Sequence, residues 1–475
     1  MRLGRLGAAG FVLYASAGCG DGSLADAQTR DGGTSDTCAP GAVCGEAGVP
    51  DARSDGDGPA PGACLETTFD LGDGGEWLSI WTTDDGKIHV AQETGTVAAA
   101  PDGGKVWHLA VAISSWDPKN RTWVGKHIIE FPPNLPDDAH STSVASVVGS
   151  PDGHFAAYYW WNSSPGYVAI GRVESDEPPR VVQLVDDAFQ QFEASAPMTW
   201  DGEAFALHDW QGSSGGTGLF GLQVARVAPD GRVLLPPTVF GHTSEVGTGV
   251  LGFHLSTDPT SGMTYVFDAT VQAPNQYHML SGHEREGTPL AGTEKMPKSV
   301  EPVGMVKMFS GSDPAVDATP NGAWVMWHQS DPIVDQRTIV QHLDRVGNAD
   351  RPASQLSGPV DDPFPDNYAI VERSDGTPMT LWVGAYRVYF AEGEPFEPHV
   401  LVDYEVGPIP EKHAKDPKYI DARDFRAVET ADGQVWVGFV EEPQAFVGNP
   451  NPAHYRLMRV APGCVYPRMD LAPAP

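Results

Sequence analysis

The sequence predicts an all-β chain folded as a single β-propeller of seven blades, within a range of six to eight. Three observations carry that expectation. Gly (54) and Pro (42) together supply about a fifth of the 475 residues, which interrupts the chain too often for long helices and suits short strands joined by turns. A hairpin pattern recurs along the chain: an apolar strand, a turn containing Gly, then a strand rich in aromatics. Several of these strands are apolar on both faces, as a sheet sandwiched between two others must be.

The copies, in order, are Val97–Trp107, Val147–Phe155, Met198–Phe205, Leu255–Tyr265, Val316–Trp324, Val371–Thr377 and Val428–Trp436. Their turns carry Gly103, Gly153, Gly202, Gly262, Gly322, Gly376 and Gly433, at intervals of 49 to 60 residues. Asp-Gly and Asn-Gly tolerate the positive φ that tight hairpin turns require. The interval is too long for one hairpin and suits a four-stranded sheet with its loops, and such sheets packed radially form a propeller. Phe155–Trp160 and Ala323–Trp327 are the clearest doubly apolar strands. Gln223–Leu235, Gln341–Asn348 and Met279–Gly287 read as outer hairpins of their blades. One further hairpin, Trp77–Val90, precedes the seven; it either pairs with Tyr455–Val460 to close the ring or opens an eighth blade.

Ser150-Pro-Asp-Gly153, set inside an apolar hairpin, resembles the TolB-type propeller repeat of exported bacterial proteins, over roughly residues 95–440. The resemblance implies the propeller fold and no particular activity. Asp102-Gly-Gly-Lys-Val-Trp107 is similar to the core of the sialidase Asp-box, with Ala100 where that family usually has Ser or Thr. Asp-boxes are structural turns, and no arginine triad accompanies this one.

The first sixty residues have another character. Arg2 and Arg5 precede the short apolar run Leu6–Tyr14, followed by small residues, which is the pattern of an export signal. Ala15-Ser-Ala17 fits ordinary signal peptidase. Ser16-Ala17-Gly18-Cys19 resembles a bacterial lipobox, with Ser16 where Leu is usual, and this resemblance implies a lipid on Cys19. The expected organisation is therefore a signal peptide at 1–18, a lipidated tether at 19–63 and the propeller at 64–475. The tether has no aromatic residue and is rich in Gly, Asp, Ala, Pro, Ser and Thr, a composition with too little apolar surface to repay ordering. The protein is expected in the cell envelope, held to a bacterial membrane only by the lipid; the alternative is a secreted or periplasmic protein.

Cysteine usage agrees with export. Apart from Cys19 the chain has Cys38, Cys44, Cys64 and Cys464. A Cys64–Cys464 bond joins the two ends of the folded body, and Cys38–Cys44 closes a small loop within the tether. Four cysteines so dispersed are no zinc site. The formal net charge of −33 opposes phosphate backbones, so nucleic acid is excluded as a partner. No cofactor is expected, and calcium is the one ion that the acidic surface leaves open.

No strong catalytic motif is present. Gly212-Ser-Ser-Gly-Gly216 satisfies G-x-S-x-G, yet it sits in a Gly/Ser loop between strands, where the nucleophile elbow needs a strand and a helix. Six residues beyond the turn glycines stand Tyr159, His208, Asp268, His328, Trp382 and Phe439. His208, Asp268 and His328 thus occupy equivalent positions in successive blades, expected at the loop-rich end of the second strands. Such a set can bind a metal, shuttle a proton or bind a polar ligand, although strand ends often carry polar residues for no other reason. The same end is expected to present Trp161, Glu193, Asp209, Trp210, Asp331 and Arg423, aromatics beside carboxylates and donors, which is what sugar recognition uses. The leading expectation is a monomeric binding or scaffold module for a glycan or a protein. The alternative is a carbohydrate-active hydrolase or lyase with Asp209, Asp268 or Glu193 as acid and base.

Overall fold

Alternating apolar and small residues between Asp-Gly turns give strands that pair with the next strand in the chain. The computed structural model describes residues 64–70, 79–99, 105–130, 142–161, 166–184, 197–212, 220–241, 250–272, 275–285, 315–331, 335–356, 368–384, 387–403, 420–443 and 454–467. Among them are 28 strands and no helix, and the strands form seven small sheets, antiparallel but for one short parallel pairing, that close in a ring as a seven-bladed propeller.

Strand β1 (Glu66–Asp70) is set aside for closure. Blade 1 comprises β2 (Ser79–Thr82), β3 (Ile88–Ala99), β4 (Lys105–Asp117) and β5 (Thr122–Glu130). Blade 2 comprises β6 (Thr142–Gly149), β7 (His154–Trp161), β8 (Gly166–Arg172) and β9 (Arg180–Leu184), and blade 3 β10 (Met198–Trp200), β11 (Phe205–Gly212), β12 (Phe220–Val227) and β13 (Val233–Gly241). Blade 4 has three described strands, β14 (Val250–Thr257), β15 (Thr264–Gln272) and β16 (Asn275–His283). Blade 5 runs β17 (Ala315–Thr319), β18 (Gly322–Asp331), β19 (Asp335–Asp344) and β20 (Ser354–Leu356). Blade 6 runs β21 (Tyr368–Glu372), β22 (Pro378–Gly384), β23 (Arg387–Glu392) and β24 (His399–Asp403). Blade 7 holds β25 (Ile420–Glu429), β26 (Val435–Pro443) and β27 (His454–Val460), and β28 (Tyr466–Pro467) returns to lie parallel on β24.

Six of the seven turn glycines stand where the first two strands of a blade meet as the sequence indicated, five between the strands and Gly322 as the first residue of β18. The exception is the first copy. Gly103 falls between β3 and β4, and the first blade's inner turn is Asp84-Asp85-Gly86. The described part of the hairpin Trp77–Val90, from Ser79 on, therefore belongs to blade 1, not to an eighth blade. Ring closure falls to β1, which pairs antiparallel with β27 from Glu66↔Met458 to Asp70↔His454. The Cys64–Cys464 disulfide lies beside that joint, with its Cα atoms 5.4 Å apart. Cys19, Cys38 and Cys44 lie outside the described residues.

A local rule shapes the turns. In Thr83-Asp84-Asp85-Gly86, Ser150-Pro151-Asp152-Gly153 and Thr430-Ala431-Asp432-Gly433 the hydroxyl donates to the carboxylate two residues on. The glycine follows at positive φ, +86° at Gly153, where a Cβ is strained.

Among the described side chains, apolar clusters fill six of the seven seams between blades. Trp81, Val111 and Tyr159 fill the seam of blades 1 and 2, Tyr158, Phe205 and Leu207 that of blades 2 and 3, and Trp324, Trp382 and Tyr389 that of blades 5 and 6. At the inner strands a hydrogen-bonded belt crosses every seam. Ser79 Oγ donates to the Val147 carbonyl (2.6 Å), Met198 N to Ser146 Oγ (2.9 Å), and Thr199 Oγ1 meets Thr257 Oγ1 (2.7 Å). Ala318 N donates to Ser256 Oγ (3.0 Å), Glu372 N to Asp317 Oδ2 (2.6 Å) and Ser374 N to Glu429 Oε2 (2.6 Å). Thr82 Oγ1 completes the circuit by donating to the Glu429 carbonyl at 3.3 Å.

Candidate functional site

Two turns of the hydroxyl–carboxylate type lie side by side at the seam of blades 1 and 2, tied by Asp84 N donating to the Pro151 carbonyl at 2.8 Å. Between them and the end of β8 opens a cleft of about 470 Å³, within the range of small-ligand sites. It is lined by Thr83, Asp84, Asp85 and His89 from blade 1 and by Asp152, Arg172 and Glu174 from blade 2, among others. Lys87 stands beside it and ion-pairs with Asp85 (2.7 Å) and Glu174. His154 Nδ1 sits 2.9 Å from Asp152, and Arg172 donates to the Asp152 carbonyl at 3.2 Å.

Electrostatics fix what this cleft can do. Burial works to raise the Asp85 carboxyl, but hydrogen bonds from Lys87 and Thr83 outweigh it and hold it down at about 2. Asp152 is also lowered: burial is opposed by Ser150 and His154. Both are therefore carboxylates at any ordinary pH, acceptors rather than acids. His89 forms the floor, 2 % exposed, and burial pushes its imidazole down to about 4. Thr83 spends its proton on Asp85 (2.6 Å), so it accepts from His89 Nε2–H (3.0 Å). His89 Nδ1 then accepts from Ser115 Oγ at 2.8 Å. The result is a neutral, fixed imidazole beneath a rim of ionised carboxylates.

A second group stands at the inner strands of blades 4, 5 and 6. Asp317 Oδ1 accepts from Ser256 Oγ at 3.2 Å and Oδ2 from Glu372 N, while the Glu372 carboxylate accepts from Trp324 Nε1 at 2.8 Å. Burial drives the Asp317 carboxyl up to about 7 against the pull of its two donors. Asp317 is not among the residues that line the cleft.

The residues singled out in the sequence are distributed as follows. The column six residues past the turn glycine falls mid-strand, not at the loop end: His208 pairs with Val224, Asp268 with Phe253 and Met279, and His328 with Thr338. Tyr159, Trp382 and Phe439 of that column are buried in apolar seams, because this position faces a neighbouring blade. His208 is fully buried and meets His283 of blade 4. Asp209 and Trp210 belong to β11, Trp161 to β7, Asp331 to β18 and Arg423 to β25. The side chains of these five, with those of Asp268 and His328, lie outside the described residues, as does Glu193 altogether. Among the described side chains no group of three or more His, Cys, Asp or Glu is arranged to hold a metal ion.

Thr83, Asp85, His89 and Asp317 were missed. The signal for the first three was available, since Thr-Asp-Asp-Gly at 83–86 aligns with Ser-Pro-Asp-Gly at 150–153 and locates the first blade's inner turn. Nothing local marks Asp317, whose partners come from the blades on either side of its own.

The chain matches no protein-family model and no curated protein. It is similar to several solved structures. One is the Dos1 propeller, at 10% identity, covering 86% of this chain and 97% of that one with a TM-score of 0.40. The NanB sialidase from Streptococcus pneumoniae is 11% identical, with 83% and 70% covered and a TM-score of 0.40. The Penicillium chrysogenum alpha-L-arabinanase is 11% identical, with 69% and 95% covered and a TM-score of 0.38.

Proposed function

We propose that this protein is a ligand-binding propeller of the bacterial cell envelope, built of TolB-type repeats and presented on a lipidated tether. In this reading residues 1–18 direct export, Cys19 carries the lipid, residues 19–63 act as the flexible lead, and the monomeric ring binds a glycan or a glycan-bearing protein. Several acyl chains on one cysteine give firm anchoring, each buried methylene adding about 0.8 kcal/mol.

The cleft between blades 1 and 2 carries the binding reading. Its carboxylates are ionised acceptors suited to sugar hydroxyls, and Arg172 lies beside them. A glycosidase of the two-carboxylate kind needs one carboxyl protonated at the working pH. Asp85 and Asp152 are both held in the opposite state, which favours binding over hydrolysis at this place.

The test uses the purified full chain on a glycan array, alongside an assay for reducing ends released from the same glycans. Expected are a defined set of bound glycans, loss of that binding in Asp152→Asn, and no release. Release of reducing ends by the wild type moves the protein to the hydrolase class. The anchor is tested separately by detergent phase partition after expression in a bacterial host. Wild type should enter the detergent phase and Cys19→Ser the aqueous phase; equal partition of both refutes lipidation.

A further inference from the structure

The cleft between blades 1 and 2 restricts its own ligand, an inference that rests on the binding reading. Its walls carry four carboxylates, those of Asp84, Asp85, Asp152 and Glu174, and one cation, Arg172. Pro151, Gly153 and Val173 supply the apolar surface, and no Trp, Tyr or Phe is among the lining residues. A neutral sugar ring therefore finds no aromatic platform here, and recognition falls to hydrogen bonds and charge.

Most of these charges are already engaged. Lys87 spans Asp85 and Glu174, and Asp85 Oδ1 also accepts from Thr83 Oγ1 (2.6 Å) and Lys87 N (3.3 Å). Asp152 takes Ser150 Oγ on one oxygen and His154 Nδ1 on the other. Arg172 donates to the Asp152 carbonyl and forms no ion pair among the described residues. Asp84 stands apart. Its amide holds the Pro151 carbonyl at 2.8 Å, which fixes the residue at the seam. Its exposed carboxylate has no hydrogen bond or ion pair among the described residues.

The balance of charge is negative. Four carboxylates against Arg172 and Lys87 leave two negative charges at the cleft, and one remains if His154 takes up a proton. Asp117 lies within electrostatic reach of Lys87, and Asp176 and Glu177 follow the lining segment, all three of the same sign. Lys119 and Arg121, in the turn after β4, do not line the cleft. The chain as a whole carries −33. Such a field repels an anionic ligand and draws in a cationic one.

We propose that the cleft selects a glycan bearing a primary amine, an amino sugar whose ammonium is met by Asp84 while neighbouring hydroxyls donate to Asp85 and Asp152 and accept from Arg172. Room for those hydroxyls exists, because Asp85 Oδ2 takes only Lys87 Nζ and Asp152 Oδ2 only His154 Nδ1 among the described residues. An ammonium donates in three directions and a carboxylate only accepts. Exchanging one sugar hydroxyl for an amine therefore adds a charge-assisted hydrogen bond at Asp84 within a negative field, about ten-fold in affinity.

Titration of the full chain with tetramers of glucosamine, glucose and galacturonate, one cationic, one neutral and one anionic, tests this at about pH 6, where an amine of ordinary basicity is charged. The glucosamine tetramer is expected to bind about ten-fold more tightly than the glucose tetramer. The galacturonate tetramer should be weakest, and the preference should shrink between about 0.05 and 0.5 M salt. Asp84→Asn should lower the preference about three-fold or more. Glu397→Gln, which removes an exposed carboxylate between β23 and β24, should leave it intact. Equal binding of glucosamine and glucose, tighter binding of galacturonate, or equal loss in both variants overturns the proposal. So does silence towards all three tetramers while other arrayed glycans bind and Asp152→Asn abolishes their binding; the glycan reading then stands without the amine. Binding of no glycan at all removes both.

Discussion

Asp317 shows how one side chain acquires two duties. It is half-buried on an inner strand, yet its carboxyl is enclosed by β14, β17 and β21 and links three blades through Ser256 Oγ and Glu372 N. Enclosure raises its pKa from the ordinary 3.8 to about 7. Between these values the folded chain holds a proton that the unfolded chain has released. The stabilisation is therefore complete below about pH 4 and is lost as pH rises through 7, with a limiting slope of about 1.4 kcal/mol per pH unit. Asp317→Asn keeps an acceptor oxygen and cannot ionise. Its urea midpoint, followed from pH 4 to 8, should lack the fall between 5 and 7.5 that the wild type shows. Parallel curves for the two proteins would assign that fall to other groups. His89 has the opposite sign: its depressed value stabilises fully above about 6.5 and is lost towards 4.

At the scale of strands and turns, much of the architecture was legible because its causes are local. A turn glycine at positive φ, mostly after Asp or Asn, is spelled out within a few residues, which is why the turns of blades 2 to 7 could be found. The first blade was misphased because Pro101-Asp-Gly-Gly104 imitates the turn signal, whereas Thr83-Asp-Asp-Gly86 lies in a hairpin read as an addition. The column His208, Asp268 and His328 was rightly recognised as equivalent positions, but its level in the strand was misjudged. Strand length does not follow from turn spacing: β11 continues to Gly212 and β18 to Asp331. What could not be read are the partners across seams. His208 meets a histidine 75 residues away, and Asp317 one backbone amide 55 residues away. Such pairs depend on how blades are juxtaposed, and no pattern within a blade encodes them.

For the whole ring, closure is the deciding event, since a toroid of sheets is only as secure as the place where its ends meet. That place is reinforced in three ways. β1 adds five register pairs to β27, Arg456 is fully buried between Glu66 and Glu441, and Cys64 is bonded to Cys464 across 400 residues. Arg456 also donates to the Pro467 carbonyl at 3.1 Å, so one guanidinium fastens β27 to its neighbours and to the returning C-terminal segment. Burying that charge is tolerable only while both carboxylates stay in place. The disulfide acts on the unfolded chain, whose ends it keeps together, and removing a native bond of this kind costs about 2–5 kcal/mol. With β1 and Arg456 still holding the joint, Cys64→Ser/Cys464→Ser should fold to the same ring and unfold at lower urea. The difference should match that between oxidised and reduced wild type. A double variant as stable as the oxidised protein would mean that strand pairing alone secures the ring, leaving the covalent link no part in its stability.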